Sequence, residues 1–100
     1  GPTERAAKVG YICQKRVGNS IRSGIAENCH LDYLYSSITK VNGIPFYDWN
    51  TPEQIALSTI NGWMNSPGHR SNLLNSGYDC EGIGVAISSD DKVYVTQDSC

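Results

Sequence analysis

The chain has 100 residues, with 8 Lys+Arg against 10 Asp+Glu and a formal net charge of -2. That length fits one domain with a modest core, and no Lys/Arg run is long enough to track a phosphate backbone, so nucleic acid is excluded as a partner. No stretch has the apolar length of a membrane span, and GPTERAA carries neither a signal peptide nor an initiating methionine, which favors a mature form or a fragment over a cytosolic protein.

A small domain needs reinforcement, and Cys13, Cys29, Cys80 and Cys100 offer it. No CxxC pair announces zinc or redox chemistry, so the expectation is two disulfides and an oxidizing compartment; four buried free thiols are the alternative.

In chain order, Thr3 to Val9 reads as one or two helical turns closed by Gly10. Tyr11 to Ser23, with Gly18-Asn19-Ser20, shows no sustained period and reads as loop. GIAENC, residues 24–29, reads as a short strand whose end emerges at a sheet edge or cleft. Residues 30–50 read as a long aromatic connection holding Tyr33, Tyr35, Phe46, Tyr47 and Trp49, interrupted by Asn42-Gly43 and Pro45. Its rings either cap a core edge, the favored reading, or form a docking loop.

TPEQIALSTINGWMNS is the clearest helix: Thr51 suits the N-cap, Pro52 the first helical position, and Gln54 completes a capping box. Ile55, Ala56, Ile60, Trp63 and Met64 share a face, and Ser66-Pro67-Gly68 ends the element. His69 to Leu74 forms a second short helix. From Cys80 onward, Ile83, Val85 and Ile87, then Val93 and Val95, alternate as strands of a hairpin around Ser89-Asp90-Asp91. Partner numbers then sum to about 180, which sets Cys80 opposite Cys100. The expected disulfides are therefore Cys80–Cys100 and Cys13–Cys29, with the other two connectivities open.

The succession AEN, WMNSPGHRSNLL, YDCEGIGVA and VYVTQDSC resembles the prokaryotic branch of the CAP superfamily, the SCP-like extracellular domains related to cysteine-rich secretory proteins, antigen 5 and pathogenesis-related proteins. The resemblance covers nearly the whole chain. It implies one domain over residues 1–100 of α+β class: an α/β/α sandwich with an antiparallel sheet, N-terminally truncated so that the family's long first helix and its histidine lie upstream.

In that family a cleft is built around two histidines and two glutamates. The resemblance puts Glu27 at one glutamate and His69 at a cleft-lining histidine, while Ser66 stands where eukaryotic members place their second glutamate. Asn28, Arg70 and Gln97 complete the cleft candidates. Glu27 and His69 supply only two ligands toward zinc or another divalent metal, so a metal site here is incomplete. His30 reads as solvated or hydrogen-bonded rather than as a third ligand. Neither Ser66 nor Ser71 beside His69 makes a triad, and no Gly-x-Ser-x-Gly elbow exists. His69 has two readings: a ring tuned by Glu27 near neutral pH, or a hydrogen-bonded lock on the hinge together with Arg70.

The function expected is a secreted or cell-surface binding module with a Glu/His cleft, for a lipid, metal or protein ligand. A metal-assisted hydrolase with its remaining ligands upstream is the alternative, and a protein-interaction module using the aromatic loop is the third. An uncovered sheet face predicts self-association or binding of the missing N-terminal segment.

Overall fold

The computed structural model describes residues 1–100, apart from the side chain of Val17. Ten elements follow one another: α1 (Pro2–Lys8), β1 (Gln14–Val17), β2 (Ser20–Ser23), β3 (Ala26–Tyr33), β4 (Tyr35–Val41), β5 (Ile44–Trp49), α2 (Pro52–Met64), α3 (Pro67–Leu74), β6 (Glu81–Ile87) and β7 (Lys92–Ser99). The central sheet runs in the order β3-β7-β6 and is antiparallel throughout. Helices α2 and α3 pack on one face of it and α1 on the other, an α+β arrangement in three layers.

Helix α2 starts as its sequence dictates. The Thr51 hydroxyl accepts from the Gln54 amide at 3.1 Å, and the Gln54 side chain accepts from the Thr51 amide at 2.7 Å. The C-terminal hairpin keeps the expected register, with Ile87 opposite Val93 and Val85 opposite Val95. Asp91, at φ 62°, takes the left-handed position that closes its three-residue loop. Trp63, Val93 and Val95 form the core, joined by Leu34, Ile55 and Leu73.

Two segments expected as loops are hairpins. β1 pairs with β2 across Gly18-Asn19, where Gly18 at φ 61° supplies the positive dihedral a two-residue turn needs. β4 pairs with β5 across Asn42 (φ 52°) and Gly43 (φ 80°), both in the left-handed region, as a type I′ turn requires. Pro45 does not interrupt this second hairpin, because a strand edge tolerates a residue without a donor. A register shift between Tyr35 and Ser37 breaks the alternation that would have revealed the strand.

The cysteine pairing also differs from expectation. Cys13 is bonded to Cys100, with Cα atoms 5.9 Å apart, while Cys29 and Cys80 are free and exposed. Neither Cys80–Cys100 nor Cys13–Cys29 forms. Cys80 does stand opposite Cys100, and each amide donates to the other's carbonyl, at 3.1 and 2.9 Å. That makes them a hydrogen-bonded pair, the kind whose side chains stand farther apart, so Cys100 is left to reach Cys13. Lys15 reinforces the junction: its ammonium donates to the Gly77 carbonyl, the Asp79 carboxylate and the Cys100 carbonyl.

Gly62 lies inside α2, where glycine costs helix stability. A Cβ there would sit 3.1 Å from Nδ1 of His30 and 3.2 Å from Cε1, so the glycine makes room for a ring held by Asp32. Gly62→Ala is expected to lower the unfolding free energy by about 1 kcal/mol, overpacking outweighing the gain in propensity. Adding His30→Ala should reverse the sign of the alanine's effect in urea unfolding; equal effects in both backgrounds would contradict the contact.

Candidate functional site

Strand β3 decides where the candidate residues go, because consecutive side chains face opposite sides of a sheet. Asn28, His30 and Asp32 face α2 and α3, whereas Glu27 and Cys29 face α1. By this alternation α3 packs on the Asn28 face, while Glu27 points toward α1.

On the helix face, Asn28 is the largest fully buried side chain, 1% exposed. Its Nδ2 donates to the His69 carbonyl at 3.1 Å and to Oε1 of Gln97 at 3.3 Å, and its Oδ1 accepts from Asn72 at 3.2 Å. Gln97 in turn donates to Glu81 at 2.6 Å. The network therefore uses the backbone of His69 to fasten α3 to the sheet. The His69 ring turns to its own helix start, with Nδ1 3.0 Å from the Ser66 hydroxyl. Arg70 is exposed, and its amide donates to the Ser66 carbonyl at 2.7 Å. His30 is hydrogen-bonded, as its sequence context suggests, with Nε2 3.3 Å from Asp32.

On the opposite face, Arg5 of α1 forms an ion pair with Glu27. Asp98 lies directly across from Glu27 in the β3–β7 register. Glu27 is pushed below its ordinary range chiefly by the neighboring Asp98 carboxyl, then by Arg5, despite burial. Asp98 is pushed up by burial and by Glu27, and its Oδ1 finds no partner among the described residues. One proton held by the pair explains both directions. Burial and the negative charge of Glu27 also raise the Cys29 thiol, which keeps it protonated and a poor nucleophile.

Among the described residues no group of three His, Cys, Asp or Glu side chains could hold a metal ion. Glu27 and His69 do not fit a shared zinc site, since the sheet separates them. Arg5, Asp98 and Asn72 escaped sequence reasoning. Only the β3–β7 register, which pairs strands far apart in the chain, could have brought Asp98 to Glu27.

An uncharged groove lies between α2 and β6. Leu34, Ile55, Ile60, Trp63, Val93 and Val95 line a groove of about 460 Å³ whose far wall is Ile83, Val85 and Ile87. Those three are 57, 64 and 62% exposed, although they stand beside the core. Sequence periodicity marked them as an apolar row, and they stand on the sheet face that was expected to lie uncovered.

Compared with known families, residues 7–99 match the profile of the CAP, or cysteine-rich secretory protein, family. The chain belongs to the CAP family. It matches none of the curated proteins or solved structures with which it was compared. The three-layer α+β arrangement and the antiparallel sheet agree with that membership. Of the features that pointed to CAP, SPGHR supplies the turn into α3, GIGVA the uncovered strand β6, and TQD the two partners Gln97 and Asp98 of the adjacent strand β3.

Proposed function

We propose that this CAP domain is an extracellular or cell-surface binding module that acts through the apolar groove between α2 and β6 rather than by catalysis. The exposed row Ile83, Val85 and Ile87 carries this reading. An apolar patch beside a core, left open to water, costs solubility unless something covers it.

The shape of the groove favors one class of occupant. Strands lie about 4.8 Å apart, so a three-stranded sheet spans about 10 Å between its outer strands, while packed helices sit about 8–10 Å apart. With α2 packed over β3, room remains for one further helix over β6. An amphipathic helix of about 14 residues, roughly 21 Å long, matches the 13-residue α2. Within the family such a helix precedes the segment matched here, and the resemblance makes that upstream segment the first ligand to try. Glu27, His69, Asn28, Arg70, Ser66 and Gln97 then serve to hold α1 and α3 on the sheet, and neither zinc nor another divalent metal is required. A metal-assisted hydrolase has less support, since Glu27 and His69 face apart.

A synthetic helix with leucines at positions i, i+3, i+4 and i+7 is the probe. Calorimetry should show saturable binding, weakened tenfold or more by Val85→Lys, which places a charge at the center of the row. Val85 is already 64% exposed, so this substitution should leave the free chain folded. Equal affinity for both proteins, or none for either, would overturn the reading.

A further inference from the structure

The β4–β5 hairpin is apolar on both faces. Val41, Ile44 and Phe46 stand on one, and Ile38, Tyr47 and Trp49 on the other, each between 41 and 59% exposed. A flat partner covers one face of a two-stranded ribbon and leaves the second in water. Both are covered only by a medium that surrounds the ribbon.

Residues 36–47 carry a single charge, that of Lys40 near the tip. Tyr35, Tyr47 and Trp49 form a cluster toward the base, with Tyr47 and Trp49 stacked at 5.0 Å and Tyr35 edge-on to each, at 5.1 and 5.9 Å. At about 3.3 Å per residue, Tyr47 lies roughly 10 Å from the closing pair Val41–Ile44. That depth equals the layer, about 5–10 Å thick, that amphipathic elements occupy at the headgroup boundary, where aromatic rings gather. The base is fixed: the Asn50 amide donates to the Leu34 carbonyl at 2.8 Å, its side chain to the Tyr33 carbonyl at 2.8 Å, and the Leu34 amide to the Asp91 carbonyl at 3.0 Å. Among the described residues no helix is long and apolar enough to cross a membrane.

We propose that the β4–β5 hairpin docks this domain on a lipid surface, its tip inserted as far as Tyr47, with Asp48, Tyr35 and Trp49 toward the water side and the Lys40 side chain reaching back to anionic headgroups. At that depth the open strand edges still meet water and headgroup oxygens, which a deeper position would deny them. The groove is lined by Leu34 and Asn50 of this base but by no residue of β4 or β5, so docking and groove binding use different side chains.

Trp49 is 57% exposed and Trp63 only 2%, so a lipid-dependent change in emission reports on the hairpin. With vesicles of phosphatidylcholine mixed with phosphatidylglycerol, a blue shift and co-flotation are expected. Ile44→Ser and Phe46→Ser should each lower partitioning about tenfold, and Lys40→Gln about fivefold in the mixed vesicles with little change in pure phosphatidylcholine. Unchanged circular dichroism would show that each variant remains folded. Failure of the wild-type chain to float, or flotation that survives Ile44→Ser/Phe46→Ser, would overturn the proposal. So would a blue shift that rises with protein concentration in the absence of lipid, which would make the hairpin an interface between copies.

Discussion

Replacing Cys13 or Cys100 with serine is expected to lower the unfolding free energy by about 4–5 kcal/mol, the chain-entropy value for a loop closed over a sequence separation of 87 residues. For a domain of this size that loss is about a third or more of the total stability, and the melting temperature should fall by about 20 °C or more. The effect is large because the bond joins the start of the β1–β2 hairpin to the last residue of the chain. Cys80→Ser tests the pairing: its side chain is exposed and free, so the change should stay within about 0.5 kcal/mol. Peptide mapping without reduction should recover Cys13 linked to Cys100. A Cys80–Cys100 peptide, or a large cost for Cys80→Ser, would contradict the structure.

Asn28→Ala should cost about 3 kcal/mol, because it removes three hydrogen bonds and strands Gln97, Asn72 and the His69 carbonyl in a buried setting. Asn28→Asp should cost more near neutral pH, since a carboxylate would face the carbonyl of His69 and Oε1 of Gln97, both acceptors. Such a carboxyl has its folded-state pKa raised above the unfolded value. The folded state then binds more protons, so the deficit grows as pH rises through the unfolded pKa and shrinks as pH falls. Chemical unfolding at several pH values should therefore show Asn28→Asp recovering toward Asn28→Ala in acid. A pH-independent gap between the two variants would mean that the amide nitrogen is not the group that fastens α3.

The elements legible in the sequence are those whose signals are local. Thr51, Pro52 and Gln54 announce α2, and the alternation from Ile83 to Val95 sets the C-terminal register. The CAP motifs supplied the family and with it the sandwich. The turn pairs Gly18-Asn19 and Asn42-Gly43 were equally local, yet they were read as breaks because polar β1 and β2 lack an apolar period and a bulge near Ser36 disrupts that of β4.

Nonlocal features were less accessible. The disulfide depends on which way Cys100 turns out of a paired backbone, and cross-strand numbering cannot supply that. Glu27 and His69 looked like neighbors because both belong to the family's cleft motifs, but Asn28, one residue along, takes the side facing α3. Nothing local to Glu27 pointed to Arg5 or Asp98.

The most direct test of the groove is methyl NMR of the whole chain titrated with the amphipathic helical peptide. Binding as proposed should shift the methyl signals of Ile60, Ile83, Val85 and Ile87 together and saturably, leaving Ala6 and Ile25 on the α1 side unmoved. Shifts confined to the α1 side, beside Glu27 and Asp98, would contradict the account by placing the working surface on the opposite face of the sheet.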